Sequence, residues 1–350
     1  MFIDNSLAAQ AAYSSVLSAT RMAQINRSPA DLPGGFASKR IRGKQYWYYQ
    51  RKGPAGLEQI YVGPDDEATH ALIEAARNET AGASQEHLRR LANAAAALGC
   101  YAVAPKHFRV LKRLADHGVF SAGALVVGTH AFLAYQNVLG VIWGDPGQTV
   151  DLDFAHAGRN LSLALAPDAR VDAHSAIESL QMGFVPVNSG TRYVKPDEPD
   201  FDLDWLTSRT RTGAKPVDCR ALNVTLQPLR FMELALEAPI PAALLGSTSA
   251  IVVNLPAPAA YAVGKLLVAA ERTGDSRSKT KKDIAQAAAL IDYFLQRDPD
   301  SIVEMVTQTR ARGPAWRKAL GVGLEALHRT WPRVGEGLAA ATEQRQSRRV

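Results

Sequence analysis

Two aspartates separated by a single residue give the first indication of chemistry in this sequence. Asp151 and Asp153 alternate with Val150, Leu152 and Phe154, a pattern typical of a β-strand. This alternation places both carboxylates on one face, with their Cα atoms about 6–7 Å apart. Carboxylates that close repel each other, so keeping both ionised favours a cation between them. Mg²⁺ and Mn²⁺ prefer carboxylate and phosphate oxygens, so the pair predicts a metal site.

The segment before these aspartates contains a turn suited to phosphate. An apolar run over residues 124–127 predicts a buried strand, Gly128-Thr129 predicts a tight turn, and a helix is expected over residues 130–137. Backbone N–H groups and the dipole at a helix N-terminus attract anions. The alternative interpretation of Asp151 and Asp153 is the polar face of an edge strand without a function.

A strand, a Gly-Thr turn, a helix and Asp-x-Asp on the next strand together resemble the signature of the DNA polymerase beta-like nucleotidyltransferases. The usual Gly-Gly or Gly-Ser is replaced by Gly128-Thr129, which keeps a hydroxyl but leaves the backbone less room. The resemblance implies that the triphosphate of an NTP binds at this turn. It also implies that Asp151 and Asp153 share two metal ions.

The same resemblance implies a third carboxylate on a later strand. An alternating segment, residues 201–207, contains Asp202 and Asp204 on one face. The family context is an apolar residue, Asp and two more apolar residues, which Asp204 matches better than Asp202. Asp204 is therefore expected to complete the metal site and help to deprotonate the acceptor, with Asp202 as the alternative. Both could instead form the polar face of an exposed strand.

Basic residues follow in the C-terminal part. A helix is predicted over residues 259–272 with Lys265 and Arg272 on one side. A basic turn, RSKTKK, follows, and the segment Thr280-Lys-Lys-Asp283 is predicted to begin the next helix. This order is similar to the helical half of the abortive-infection-type nucleotidyltransferase toxins. The resemblance implies that Lys265, with Arg272, meets nucleotide phosphates, and that Asp283 helps to hold the site. Alternatively, Lys265 snorkels from an amphipathic helix and Asp283 belongs to a capping box.

Residues 38–63 combine basic and aromatic side chains in a predicted β-hairpin. Such a mixture can bind a nucleic-acid backbone and stack on bases, which predicts a nucleic-acid contact through Arg40, Arg42, Lys44 and Trp47. The alternative is an amphipathic sheet with a solvated basic face.

Composition sets further limits. The chain has 350 residues, of which 47% are hydrophobic and 21% charged, and a net charge of +6 that permits a nucleic-acid partner. Cys100 and Cys219 are too few for a disulfide framework, which favours a reducing compartment such as the cytoplasm. No secretory signal and no apolar stretch long enough to span a membrane is expected.

These features predict an α/β fold with a small mixed sheet of nucleotidyltransferase type and flanking helices. The expected regions are 1–118 with the basic hairpin, a nucleotidyltransferase core at 119–240, a helical domain at 241–340 and a basic tail at 341–350. The expected function is metal-dependent transfer of NMP from an NTP to an RNA 3′ end, a protein or a small molecule, in a toxin-like role. The alternative is a non-catalytic nucleic-acid-binding protein with a vestigial fold.

Overall fold

The computed structural model describes residues 1–25, 34–41, 44–53, 56–67, 69–70, 73–74, 81–144, 149–157, 171–209, 213–272 and 277–347. The fold is mixed α/β, as the sequence predicts. Its strands are β1 (Phe2–Asp4), β2 (Gly34–Ile41), β3 (Lys44–Gly53), β4 (Gly56–Pro64), β5 (Leu125–Val126), β6 (Val141–Trp143), β7 (Leu152–Ala155), β8 (Val185–Val187), β9 (Arg192–Val194), β10 (Asp202–Ser208), β11 (Val217–Cys219), β12 (Val224–Leu229), β13 (Ile240–Leu245) and β14 (Ala250–Leu255).

Helices precede and follow the main sheet. They are α1 (Leu7–Ile25), α2 (Ala81–Ala97), α3 (Pro105–Asp116), α4 (Gly128–Leu139), α5 (Ala173–Glu178), α6 (Glu233–Leu236), α7 (Pro258–Glu271), α8 (Arg277–Arg297), α9 (Pro299–Ala311), α10 (Pro314–Thr330) and α11 (Pro332–Ser347). Among the helices that the structure describes, none combines the length and apolar character that a membrane crossing requires.

The main sheet has the strand order β11-β12-β10-β7-β5-β14-β13, and β9 pairs with β10 beside β12. Parallel pairing of β7 with β10 sets Asp153 directly opposite Asp204. The alternating apolar residues of both strands are buried, and the rings of Phe154 and Trp205 stack with their centroids 4.9 Å apart. Burial of this face fixes the register, because a slip of one residue would bring the aspartates into the core.

The glycine-threonine turn is shorter than the sequence suggests. Helix α4 begins at Gly128 itself, two residues before the predicted start, and β5 covers only Leu125–Val126. Gly128 has φ of 59°, a left-handed conformation that glycine adopts without the strain that a Cβ would cause. The turn and the first turn of α4 are therefore one structure, and the first amides of α4 lie at the end of β5.

The basic aromatic segment forms three antiparallel strands, β2-β3-β4, where the sequence predicts a two-stranded hairpin. The additional strand is β2, in which Phe36 lies opposite Tyr49 and Ser38 opposite Trp47. The half-buried Trp47 donates its indole N–H to Asp65 at 2.6 Å and packs edge-on against His70. Of the four predicted nucleic-acid contacts, Arg42 lies outside the described residues.

The C-terminal region differs from the prediction in three places. The segment RSKTKK forms the first turns of α8, which begins at Arg277, and is not a turn before the helix. Helix α11 continues to Ser347, so most of the predicted basic tail is helical, and residues 348–350 lie outside the described residues. The main sheet continues past residue 240 through β13 and β14 to Leu255.

Candidate active site

One cavity brings the sequence-predicted site residues together. It has a volume of about 430 Å³ and lies between the aspartate-bearing edges of β7 and β10 on one side and helices α7 and α8 on the other. Asp202, the alternative third carboxylate, is not among its lining residues. The predicted residues that line it are Gly128, Thr129, Asp151, Asp153, Asp204, Lys265, Arg272 and Asp283.

The sheet side of the cavity carries three carboxylates. Burial, reinforced by repulsion from Asp151 and Asp204, raises the pKa of Asp153 to about 7. Burial and the nearby Asp202 raise the pKa of Asp204 to about 6. Burial also acts to raise the pKa of Asp151, but a 2.6 Å hydrogen bond from the Thr149 hydroxyl and nearby lysines lower it overall. Among the described residues, the sheet therefore supplies no ion-pair partner to Asp151 or Asp153, and their negative charge is open to a bound cation.

Gly128 and Asp153 are in close contact, which gives the glycine a second role. A Cβ on Gly128 would lie 1.9 Å from Oδ2 of Asp153, so any larger residue would displace this carboxylate. The donor set of Asp151, Asp153 and Asp204 consists of hard oxygens, which fits magnesium or manganese. Among the described residues, no three carboxylate, imidazole or thiol groups are already close enough to form a preassembled metal site.

Asp202 and Asp204 have different surroundings although they share one face of β10. The side chain of Asp202 is 7% exposed and forms an ion pair with Arg192 of β9. Asp204 is 34% exposed and lies 3.9 Å from the Arg192 guanidinium. Asp202 is thus neutralised inside the protein, whereas Asp204 faces the cavity. The sequence did not indicate Arg192, because its contact depends on the pairing of β9 with β10.

The helical side of the cavity contains a cluster of opposite charges. Asp283, whose side chain is 4% exposed, accepts hydrogen bonds of 2.7 Å from both Lys265 and Arg272. Lys265 is only 15% exposed, so the interpretation as a snorkelling lysine is wrong. Asp283 lies in the second turn of α8 and joins two cations, so the capping-box interpretation is also wrong.

Comparison with protein families agrees with this geometry. A family model described as nucleotidyltransferase matches residues 106–310, more than half of the chain, and includes every cavity residue named above. This chain belongs to the nucleotidyltransferase family. Membership suggests a transferase that uses an NTP. No curated protein and no solved structure matches the chain.

The cavity has further cations that the sequence did not single out. Lys279 and Lys282 line the cavity from the first turns of α8. Burial lowers the pKa of Lys282, while Asp151 and Asp153 act in the opposite direction. The sequence analysis predicted a turn at RSKTKK and therefore did not place these two lysines together. In a helix, side chains three positions apart lie on one face.

Tyr261 connects the helical side of the cavity to the turn at Gly128. Its hydroxyl lies 2.8 Å from the Gly128 carbonyl oxygen and 2.8 Å from Oε1 of Gln286 in α8. The amide of Gln286 lies 3.4 Å from the Thr129 hydroxyl. Helices α7 and α8 are therefore in hydrogen-bond contact with the first turn of α4. No local pattern in the sequence predicts contacts between residues so far apart in the chain.

Proposed function

We propose that this protein is a metal-dependent nucleotidyltransferase that transfers NMP from an NTP to a hydroxyl acceptor. The observation that carries the proposal is the composition of one cavity. Three carboxylates on adjacent strands face lysine and arginine side chains on two helices, with a helix N-terminus beside them. This combination suits transfer of a phosphoryl-type group, because catalysis of such a transfer rests on positioning and on neutralising charge.

The carboxylates account for the reacting end of the nucleotide. Asp151, Asp153 and Asp204 would hold magnesium or manganese, which when bound neutralises charge on the reacting phosphate and on the departing pyrophosphate. Asp204, whose pKa is raised to about 6, is suited to accept the proton of the acceptor hydroxyl at a carboxylate oxygen. Arg192 acts in the opposite direction, because its positive charge lowers the pKa of Asp204, but burial and Asp202 outweigh it.

The turn and the helical cations account for the triphosphate. The first amides of α4, at Gly128 and Thr129, offer N–H groups to phosphate oxygens. Lys265 and Arg272 each donate one hydrogen bond to Asp283. An ammonium has three donors and a guanidinium five, so both retain donors for the β- and γ-phosphates. Asp283 then fixes the position of both cations in the cavity wall.

The acceptor class includes an RNA 3′ end, a protein hydroxyl and a small molecule. The order of Lys265, Arg272 and Asp283 supports a toxin-like use of the reaction, in which modification inactivates a cellular RNA or protein. The basic sheet β2-β3-β4 supports an RNA acceptor, with Arg40, Arg42 and Lys44 contacting its backbone. Trp47, already bonded to Asp65, would add at most one ring face.

A label-transfer assay tests the proposal. The full-length protein is incubated with each NTP labelled at the α-phosphate, with magnesium, and with RNA, protein and small-molecule acceptors in turn. We expect label to enter one acceptor class, and EDTA to prevent this. If no acceptor is labelled while the protein binds polynucleotides, the non-catalytic nucleic-acid-binding alternative is favoured instead.

A further inference from the structure

The cavity has an apolar wall that the proposed chemistry does not use. Leu206 follows Asp204 by two residues on the same face of β10, and Leu229 extends the wall along β12. Met232 and Ala235, around α6, continue it, and Val268 of α7 also lines the cavity. These five side chains are only half-buried, so each presents apolar surface to the cavity. Apolar walls with a few polar groups are typical of small-molecule sites.

Gly264 leaves open space in this wall. It lies in the interior of α7, where glycine is less favourable than alanine by about 1 kcal/mol. A Cβ at this position would meet no atom within 4 Å, and its φ is not left-handed. Neither packing nor backbone conformation therefore requires a glycine here. Because the residue lines the cavity, the space that it leaves is available to a ligand.

Helix α7 presents two separate stripes to the cavity. At 100° per residue, Gly264 and Val268 lie about 40° apart around the helix. Lys265 and Arg272 lie on a second stripe, about 70° away on average, and both turn toward Asp283. The helix thus offers an apolar stripe beside a cationic one, which matches a ligand with an uncharged ring at one end and phosphates at the other.

Backbone strain occurs in the same wall. Phe231, which lines the cavity, has φ of 65°, a conformation that bulky residues rarely adopt. Its ring packs against Trp316 of α10 at 4.6 Å, and the Arg230 guanidinium lies 4.9 Å from the ring centre. Such strain persists where the surroundings hold it in place, and it concentrates at ligand sites. Here it sets the turn that leads Met232 into the cavity wall.

We propose that the wall formed by Gly264, Val268, Leu229 and Met232 binds the nucleobase of the NTP. This inference rests on the proposed function. The ring lies against the apolar side chains and occupies the space in front of Gly264, while the triphosphate lies against the cationic stripe. These four residues contact the base through apolar surface, which by itself discriminates only weakly between bases.

Substitution of Gly264 tests the assignment with a ligand that lacks a base. Gly264→Leu fills the open space, and Gly264→Ala fills part of it while favouring the helix. Gly321 in α10 is the matched control, since a Cβ there also meets no atom within 4 Å and the residue does not line the cavity. Binding of ATP, GTP, CTP, UTP and inorganic tripolyphosphate is measured by calorimetry in magnesium, and folding by melting temperature.

We expect Gly264→Leu to weaken NTP binding about tenfold or more, Gly264→Ala to weaken it less, and both to leave tripolyphosphate binding within about twofold. Gly321→Leu should change neither. Equal losses for NTP and tripolyphosphate, or native NTP affinity in Gly264→Leu, would overturn this inference and leave the proposed function intact. A native protein that binds no NTP in magnesium would overturn both.

Discussion

The cavity has a helical wall and a sheet wall, and each contains a buried aspartate. The two aspartates differ in whether a cation of the protein pairs with them. On the helical wall, Asp283 is bracketed by Lys265 and Arg272, each at 2.7 Å. On the sheet wall, Asp153 lies between Asp151 and Asp204, and burial with this repulsion raises its pKa to about 7. Within the part of the chain that the structure describes, no ion pair forms with Asp153, although it shares the cavity with Asp283.

This difference separates two tasks. A buried carboxylate without a partner costs stability, so it persists only where a ligand compensates for it. The matched cluster around Asp283 stabilises the packing of α7 against α8 and holds the cations in position. Asp151 and Asp153, which form no ion pair within the described residues, instead provide affinity for positive charge, with Asp204 beside them. The charge of Asp283 on the helical wall is balanced within the protein. The charge on the sheet wall is balanced by the cation that it binds.

The largest effect is expected on the unmatched wall. Asp151→Asn and Asp153→Asn each remove a charged ligand but keep the side-chain shape, and each should lower nucleotidyl transfer by about a thousandfold or more. Both variants should remain folded by circular dichroism. Asp197→Asn, in an exposed ion pair with Lys195, is the control and should keep native activity. Near-native transfer by either variant in saturating magnesium would contradict the role of this wall.

Removal of a cation from the matched wall should have a smaller effect on activity. Lys265→Ala deletes a charge-assisted hydrogen bond worth roughly 1.5–3 kcal/mol, so kcat/KM should fall about ten- to a hundredfold. The KM for NTP should rise, and melting temperature should fall, because the buried Asp283 keeps only Arg272.

Steady-state kinetics and thermal melting measure both effects. Lys318→Ala, on an exposed position of α10, should change neither quantity. A lower melting temperature with unchanged kinetics would make Lys265 purely structural and would confine the active site to the sheet wall.

The stability of the folded protein should depend on pH through Asp153, which has no ion-pair partner among the described residues. The pKa of Asp153 is raised from 3.8 to about 7 in the folded protein, so between these values the native state binds more protons than the unfolded state. The contribution of Asp153 to stability therefore falls as pH rises through this window. In EDTA, Asp153→Asn should melt a few degrees above the native protein at pH 8, with the gap shrinking toward pH 4.

Magnesium provides the complementary measurement. At pH 8 it should raise the melting temperature of the native protein more than that of Asp153→Asn, because the native carboxylate binds the ion. If the two proteins melt alike at every pH in EDTA, the carboxylate wall does not hold unmatched charge.

The sequence predicted one wall better than the other. Alternation placed Asp151 and Asp153 on one face of a strand and Asp202 and Asp204 on one face of another, and the family resemblance selected Asp204. Parallel pairing then set Asp153 beside Asp204. On the helical wall, the pattern indicated Lys265 and Arg272 but not Lys279 or Lys282. The run RSKTKK was interpreted as a turn that leads into a helix starting at Thr280, whereas α8 begins three residues earlier, at Arg277.

Other contributions depend on contacts between distant parts of the chain. Arg192 reaches Asp202 through strand pairing, and Tyr261 reaches Gly128 across the cavity. Neither residue belongs to a periodic pattern that could indicate its role. The sequence analysis also missed strand β2. Its own residues favour a strand only weakly, and it is held in strand conformation by pairing with β3.

The smallest effect is expected in the segment 38–63, from which no described residue lines the cavity. Replacing Arg40, Arg42 and Lys44 by alanine should weaken polynucleotide binding and reduce the slope of log K against log salt by about two to three. The KM for NTP should not change, because the cavity keeps both walls. An unchanged salt slope, or no polynucleotide binding by the native protein, would leave β2-β3-β4 as a solvated basic sheet.

The most direct test follows both ends of the nucleotide in a single reaction. The NTP carries distinguishable labels at the α- and γ-phosphates, and the acceptor and the released phosphates are separated after incubation with magnesium. The account predicts that the α-label enters the acceptor and the γ-label leaves in pyrophosphate, with neither event in Asp153→Asn. Transfer of the γ-label to the acceptor, or turnover that persists in Asp153→Asn, would contradict it.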